Sequence, residues 1–282
     1  RAVYEELQPS VVELFTTMGQ SQAMYDALEK LQASGGLDAT RTRLMEKELL
    51  SMKLSGISLK GEAKERFNAI QQELAELSTG FSNAVLDSRK AYELILTDPA
   101  DVQGLPQTLR QATAASAKSK GHDNASAEDG PWRITLDAPI AFPFLKHCQS
   151  RNLREQVYRA LISVASNGEH DNRPRIVRTL ALRREKATLL GYATHAETSL
   201  ATKMAEDVSA VDQLTDELRQ AARPKAEHDH AQLVDFARSE ANDPGLTLAN
   251  WDVSFWAERM REARYELSEE DLRPYFPFPK VL

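Results

Sequence analysis

The side chains best suited to chemistry in this chain are its six histidines, and their spacing is informative mainly through what it rules out. His122, His147, His170, His195, His228 and His230 include no pair four residues apart and none followed directly by Glu. A helical zinc site of the His-Glu-x-x-His kind needs both histidines on one face and the Glu within reach of the bound water, so the chain carries no such motif. His195-Ala196-Glu197 has the form of the first half of a zinc deaminase signature, but the second half requires two cysteines and Cys148 stands alone. Glu227, His228 and His230 are close in sequence, yet helical residues two apart face different ways and cannot easily share one ion. The run Arg183-Arg184-Glu185-Lys186 is expected to solvate or bridge helices. "GHDNASAEDG" holds oxygen donors, but it lacks the spaced acids and final Glu of a calcium loop. No catalytic, cofactor-binding or metal-binding residue is therefore assigned, and the lone Cys148 is expected to be a buried thiol.

The elements around these residues read as helices. Val11, Leu14 and Met18, then Met24, Leu28 and Leu31, describe two helical stretches parted near "GQSQ", and Leu44 to Leu54 a third. Phe67, Ile70, Leu74, Leu77, Phe81 and Val85 form one stripe at helical spacing, expected to be core. A short helix over Leu109 to Ala117 precedes a polar loop near residues 118–131. "WRITLDAP" alternates apolar and polar residues and predicts one short, half-buried strand near residues 132–137, ended by Pro139. Helices are expected again through Leu153 to Val164, Ile176 to Leu190 and Val208 to Leu218, and from Trp251 to Tyr265. Asn172 and Pro174 open one of them, Gly191 closes it, and His195 with Glu197 starts the next. The fold class is all-α with that one strand, residues 1–282 forming a single helical region.

Composition bounds the function. The 282 residues are 41% hydrophobic, enough for a sizeable core, and Gly and Pro are scarce at 12 each. A net charge of −7 argues against nucleic acid as a partner, because phosphate binding needs clustered Lys and Arg. No apolar run approaches the roughly 18 residues that cross a bilayer, so no membrane partner is expected. One cysteine and an amino end without a charged-then-apolar leader pattern fit a reducing setting, cytoplasm or organellar stroma or matrix. The start at Arg1 and the apolar end "YFPFPKVL" lead to the expectation that the chain is trimmed at both ends, with Tyr275, Phe276, Phe278, Val281 and Leu282 in an exposed apolar patch.

"LRREKATLLGYATHAETSLATKMA", Leu182 to Ala205, resembles the oligopeptidase A and thimet oligopeptidase family of zinc metalloendopeptidases. "LSTGFSNAVLDS", "GLP", "GPWRITLDAP", "CQSRNLREQVYRA", "DNRPRIVRTLALR" and "LRPYFPFPKVL" follow the family's order, so the resemblance covers nearly the whole chain. "SKGHDNASAEDGPW" is most similar to the plant and cyanobacterial branch with its organellar members. The resemblance implies a helical fold whose two halves enclose a deep channel. It also implies zinc held by His-Glu-x-x-His and a further Glu beyond the position of Leu282, and short unfolded peptides as substrates. On that reading this chain is the noncatalytic N-terminal part, binds no zinc itself, is inactive alone, and partners the missing C-terminal catalytic half in shaping a channel and size filter. The alternative is a noncatalytic helical module that binds peptides or proteins.

Overall fold

The computed structural model describes residues 1–266 and 272–277. Helices dominate, and the chain divides into two compact units: residues 1–84 with 171–219, and residues 85–170 with 220–282. Phe278, Val281 and Leu282 of the terminal apolar run lie outside the described residues, whereas Tyr275 and Phe276 are exposed.

The first unit is built from α1 (Ala2–Gly19), α2 (Gln22–Ala33), α3 (Ala39–Leu54), most of α4 (Gly61–Ala91), α8 (Arg173–Leu189), α9 (His195–Leu200) and the beginning of α10 (Val208–Glu240). Local chemistry sets several ends. Asp38 accepts the Arg41 N–H at 2.8 Å and starts α3. Gly191, at φ +82°, takes the left-handed conformation that ends α8, and the Tyr192 N–H returns to the Ala187 carbonyl. Thr194 then caps α9 through the Glu197 N–H at 3.2 Å, while the Glu197 carboxylate accepts the Ala193 N–H at 3.0 Å.

The predicted core stripe on α4 divides along its length. Phe67 and Ile70 are fully buried, Leu74 and Leu77 are half-buried, and Phe81 is 40% exposed. Helical spacing identifies a face; how deeply each turn is covered depends on the neighbours that tertiary folding supplies.

The second unit contains β1 (Leu94–Leu96), α5 (Gln107–Lys118), β2 (Trp132–Ile134), α6 (Ala138–His147), α7 (Arg151–Ile162), α11 (Asn250–Tyr265) and the ends of α4 and α10. Its core gathers Trp132, Ile134, Phe144, Cys148 and Val157, all without exposed surface, with Leu96, Leu105 and Leu109 beside them. Gly104 lies against this unit at φ +81°, and a Cβ there would come within 2.6 Å of the His147 carbonyl oxygen.

The short strand expected near residues 132–137 is present, with a difference in length and burial. β2 is shorter than residues 132–137 and is buried on both faces; it pairs antiparallel with β1, placing Leu94 opposite Ile134 and Leu96 opposite Trp132. Arg133 tolerates burial because Glu93 accepts from its Nε at 2.9 Å and Ser116, on α5, accepts from its Nη1 at 3.0 Å. Residues from Ala138 onward form α6, with Pro139 in the first turn where its missing N–H costs nothing. The loop near residues 118–131 is polar at its tip but tucks Ala125 and Ala127 inward, and the Ala127 carbonyl accepts the Trp132 indole N–H at 3.2 Å.

Candidate functional site

The stretch Thr179 to Ala205 lies in the first unit, where α8 and α9 meet α4 around an open groove of about 530 Å³. Leu74, Leu77 and Phe81 of α4 and Ile176 and Leu180 of α8 make its apolar lining; Ser78, Ser82 and Thr179 add hydroxyls. Arg183, Lys186 and His195 also line it. The two helices are pinned by bidentate ion pairs: Arg66 to Glu185 at 2.6 and 2.7 Å, and Arg178 to Glu73. Asn172, almost fully buried, donates to the Phe81 carbonyl at 3.1 Å and accepts from Arg175 at 3.1 Å, fixing the start of α8 beside α4.

The run Arg183-Arg184-Glu185-Lys186 therefore separates into different tasks. Arg184 is exposed, Glu185 bridges to α4, and Arg183 and Lys186 turn to the groove. Lys186 is half-buried, lies 5.3 Å from the centre of the Phe67 ring, and donates to the Gln71 side-chain oxygen at 2.6 Å. Burial, then the charge of Arg183, lowers its pKa from the ordinary lysine value. His195 is likewise held below the usual histidine value, first by desolvation and then by Arg183, Lys186 and Lys203. Glu197 points back to cap its helix, so His195 and Glu197 do not form a joint site. Glu227, His228 and His230 are all exposed, Glu227 pairing with Arg223 at 2.7 Å.

One grouping escaped the sequence reading. In the second unit His147, at the end of α6, meets Glu258 and Glu262, one turn apart on α11, with donor atoms within 4.8 Å of one another. These are metal-type ligands, but cations already occupy their lone pairs. Arg259 is 3.1 Å from His147 Nδ1 and donates to both Glu262 oxygens at 2.7 and 2.9 Å. Arg261 donates to Glu258, and Lys146 approaches the other Glu258 oxygen at 3.4 Å. Burial, then the charge of Arg259, pushes the His147 pKa down; burial would raise that of Glu258, yet Arg261 and Lys146 hold it below the carboxylate range. The ligands come from two helices remote in sequence, so no local spacing announces them.

A second buried network in this unit joins α7 to α11. Asp252, 1% exposed, takes Arg151 at 2.7 Å and Arg154 at 2.8 Å, and caps α11 by accepting the Ala249 N–H at 3.0 Å. Arg154 spends its remaining N–H groups on the Cys148, Gln149 and Trp251 carbonyls and stacks 4.1 Å above Phe255. Both Asp252 oxygens are thereby committed to the fold.

Comparison with known proteins decides the family. The model for peptidase family M3 matches residues 144–282, and that for the neurolysin/thimet oligopeptidase N-terminal domain matches residues 1–64. The chain belongs to peptidase family M3. Over its whole length this M3 chain is 45% identical to the probable cytosolic oligopeptidase A of Arabidopsis thaliana and 44% identical to the organellar oligopeptidase A of the same plant, named as chloroplastic/mitochondrial. It is 34% identical to oligopeptidase A of Escherichia coli. It spans 40%, 36% and 41% of those three relatives respectively. Among the described residues of the M3 chain, no helix is long and apolar enough to cross a membrane.

Proposed function

We propose that this chain is the noncatalytic N-terminal part of a zinc metalloendopeptidase that cleaves short, unfolded peptides, and that its helices help to form the channel admitting them. The observation that carries the reading is an alignment without a motif: the chain aligns throughout with proteins named oligopeptidase A, yet has no His-Glu dipeptide anywhere. The family's zinc would polarise the peptide carbonyl and activate water. Among the described residues only His147, Glu258 and Glu262 offer a ligand set, and they do not fit the ion. Zinc placed there would have to displace Arg259 from His147 and Glu262, and Arg261 from Glu258, cations that already occupy those donor atoms.

What the chain supplies instead is shape. A narrow channel rejects folded proteins because threading them requires unfolding, typically about 5–15 kcal/mol. Large apolar side chains stand exposed on α1 (Val3, Leu7, Leu14, Phe15) and at the start of α10 (Leu214, Leu218), which supports packing against further protein such as the catalytic half.

The test is hydrolysis of a quenched fluorescent peptide. The 282-residue chain alone is expected to be silent, and a protein extended to the relatives' length to cleave it in a zinc-dependent manner. Cleavage by the chain alone that survives a chelator and repeated purification would place the chemistry in the wrong part.

A further inference from the structure

The groove of the first unit combines an apolar wall with positive charge that the fold leaves unanswered. Two ion pairs join α8 to α4: Arg178 has Glu73, and Arg66 of α4 has Glu185, while Arg175, beside Gly80 of α4, is held by the Asp171 carbonyl and the Asn172 side-chain oxygen. Arg183 and Lys186, three residues apart and on one helical face, have no carboxylate partner among the described residues; Lys186 holds only the neutral Gln71 oxygen. His195 adds a third basic group to the same lining, also without a hydrogen-bond partner among the described residues. Burial first, then Arg183 for Lys186 and Arg183, Lys186 and Lys203 for His195, lowers the pKa of both groups. An arrangement that gathers cations against a half-desolvated wall, with no internal acid, favours an incoming anion. The rest of the lining specifies more. Leu74, Leu77, Phe81, Ile176 and Leu180 call for apolar side chains on the same ligand, and Ser78, Ser82 and Thr179 offer partners to peptide N–H and C=O groups.

We propose that this groove binds the carboxyl-terminal end of a short peptide, its free α-carboxylate on Arg183 and Lys186 and its last apolar side chains against the wall of α4 and α8. The site is a docking surface of the first unit. The choice of a peptide over other amphiphilic anions rests on the peptidase reading above; the geometry and charge do not. Arg183 offers two parallel N–H groups to a carboxylate, and Lys186 has donors left after Gln71.

Binding is measured by fluorescence anisotropy on the longer, zinc-stripped protein, using an amino-terminally labelled pentapeptide ending in Leu-Phe as the free acid and as the amide. The acid is expected to bind at least about ten-fold more tightly than the amide, as for loss of a charge-assisted pair. Arg183→Gln should abolish that preference while leaving amide binding nearly unchanged, and exposed Arg184→Gln should preserve it. Leu180→Asp should weaken both forms. Equal binding of acid and amide, a preference that survives Arg183→Gln, or displacement by octanoate or inorganic phosphate at peptide-like concentrations would overturn the proposal. Because no hydrolysis is measured, acid-selective binding with an inactive whole protein would refute only the peptidase reading. An active enzyme without that selectivity would refute only the groove.

Discussion

Asp252 and Cys148 illustrate what a functional-looking side chain does when its surroundings give it a structural task. Burial alone would raise the Asp252 pKa, but the N–H groups of Arg151, Arg154 and Ala249 outweigh it and hold the carboxyl below its ordinary value. A depressed carboxylate contributes stability that is fully present above the unfolded-state pKa, about 4, and is lost as pH falls through the lower folded value. Asp252→Ala should therefore cost about 3–5 kcal/mol by leaving Arg154 buried and unpaired. Urea melts at neutral pH measure this, and the difference from the wild type should shrink in strong acid. A loss under about 1 kcal/mol would mean that the network does not hold α7 to α11. Burial pushes the Cys148 thiol up to about 11, so alkylating reagents at pH 8 should modify it only after denaturation. Rapid labelling of the native chain would contradict its buried position.

At the scale of elements, what could be read in the sequence was what neighbours in sequence decide. Gly191, His195 with Glu197, and Asn172 before Pro174 mark helix boundaries through contacts a few residues long, and the structure places boundaries at each. What could not be read depends on distant partners. Arg133 looked like the solvent side of a strand because Glu93 and Ser116, which permit its burial, lie 40 and 17 residues away. The α4 stripe looked uniformly like core, although only its first turns are enclosed. The groove was invisible for the same reason: α4 and α8 meet across about a hundred residues of chain, as in Asn172 bonding to Phe81 at a separation of 91. That division predicts unequal costs along one face. Phe67→Ala should destabilise by about 3–5 kcal/mol and Phe81→Ala by under about 1, measured by the shift in denaturation midpoint. Equal losses would show that Phe81 is core after all.

For the molecule as a whole, the proposed function assigns shape and docking to these helices and zinc chemistry to sequence outside the chain. Two facts that need no structure support the proposal, an aligned family and an absent His-Glu dipeptide. Among the described residues, the structure adds one grouping that challenges it, His147 with Glu258 and Glu262, and three cations that neutralise it. Metal ligands must be free of competing protons and cations, and here each ligand already meets a cation. The most direct measurement is the zinc content of the 282-residue chain after loading with zinc and exhaustive dialysis against metal-free buffer. The account predicts no stoichiometric zinc, with His147→Gln and Glu258→Gln leaving that result unchanged. One tightly held zinc per chain, lost on either substitution, would contradict it.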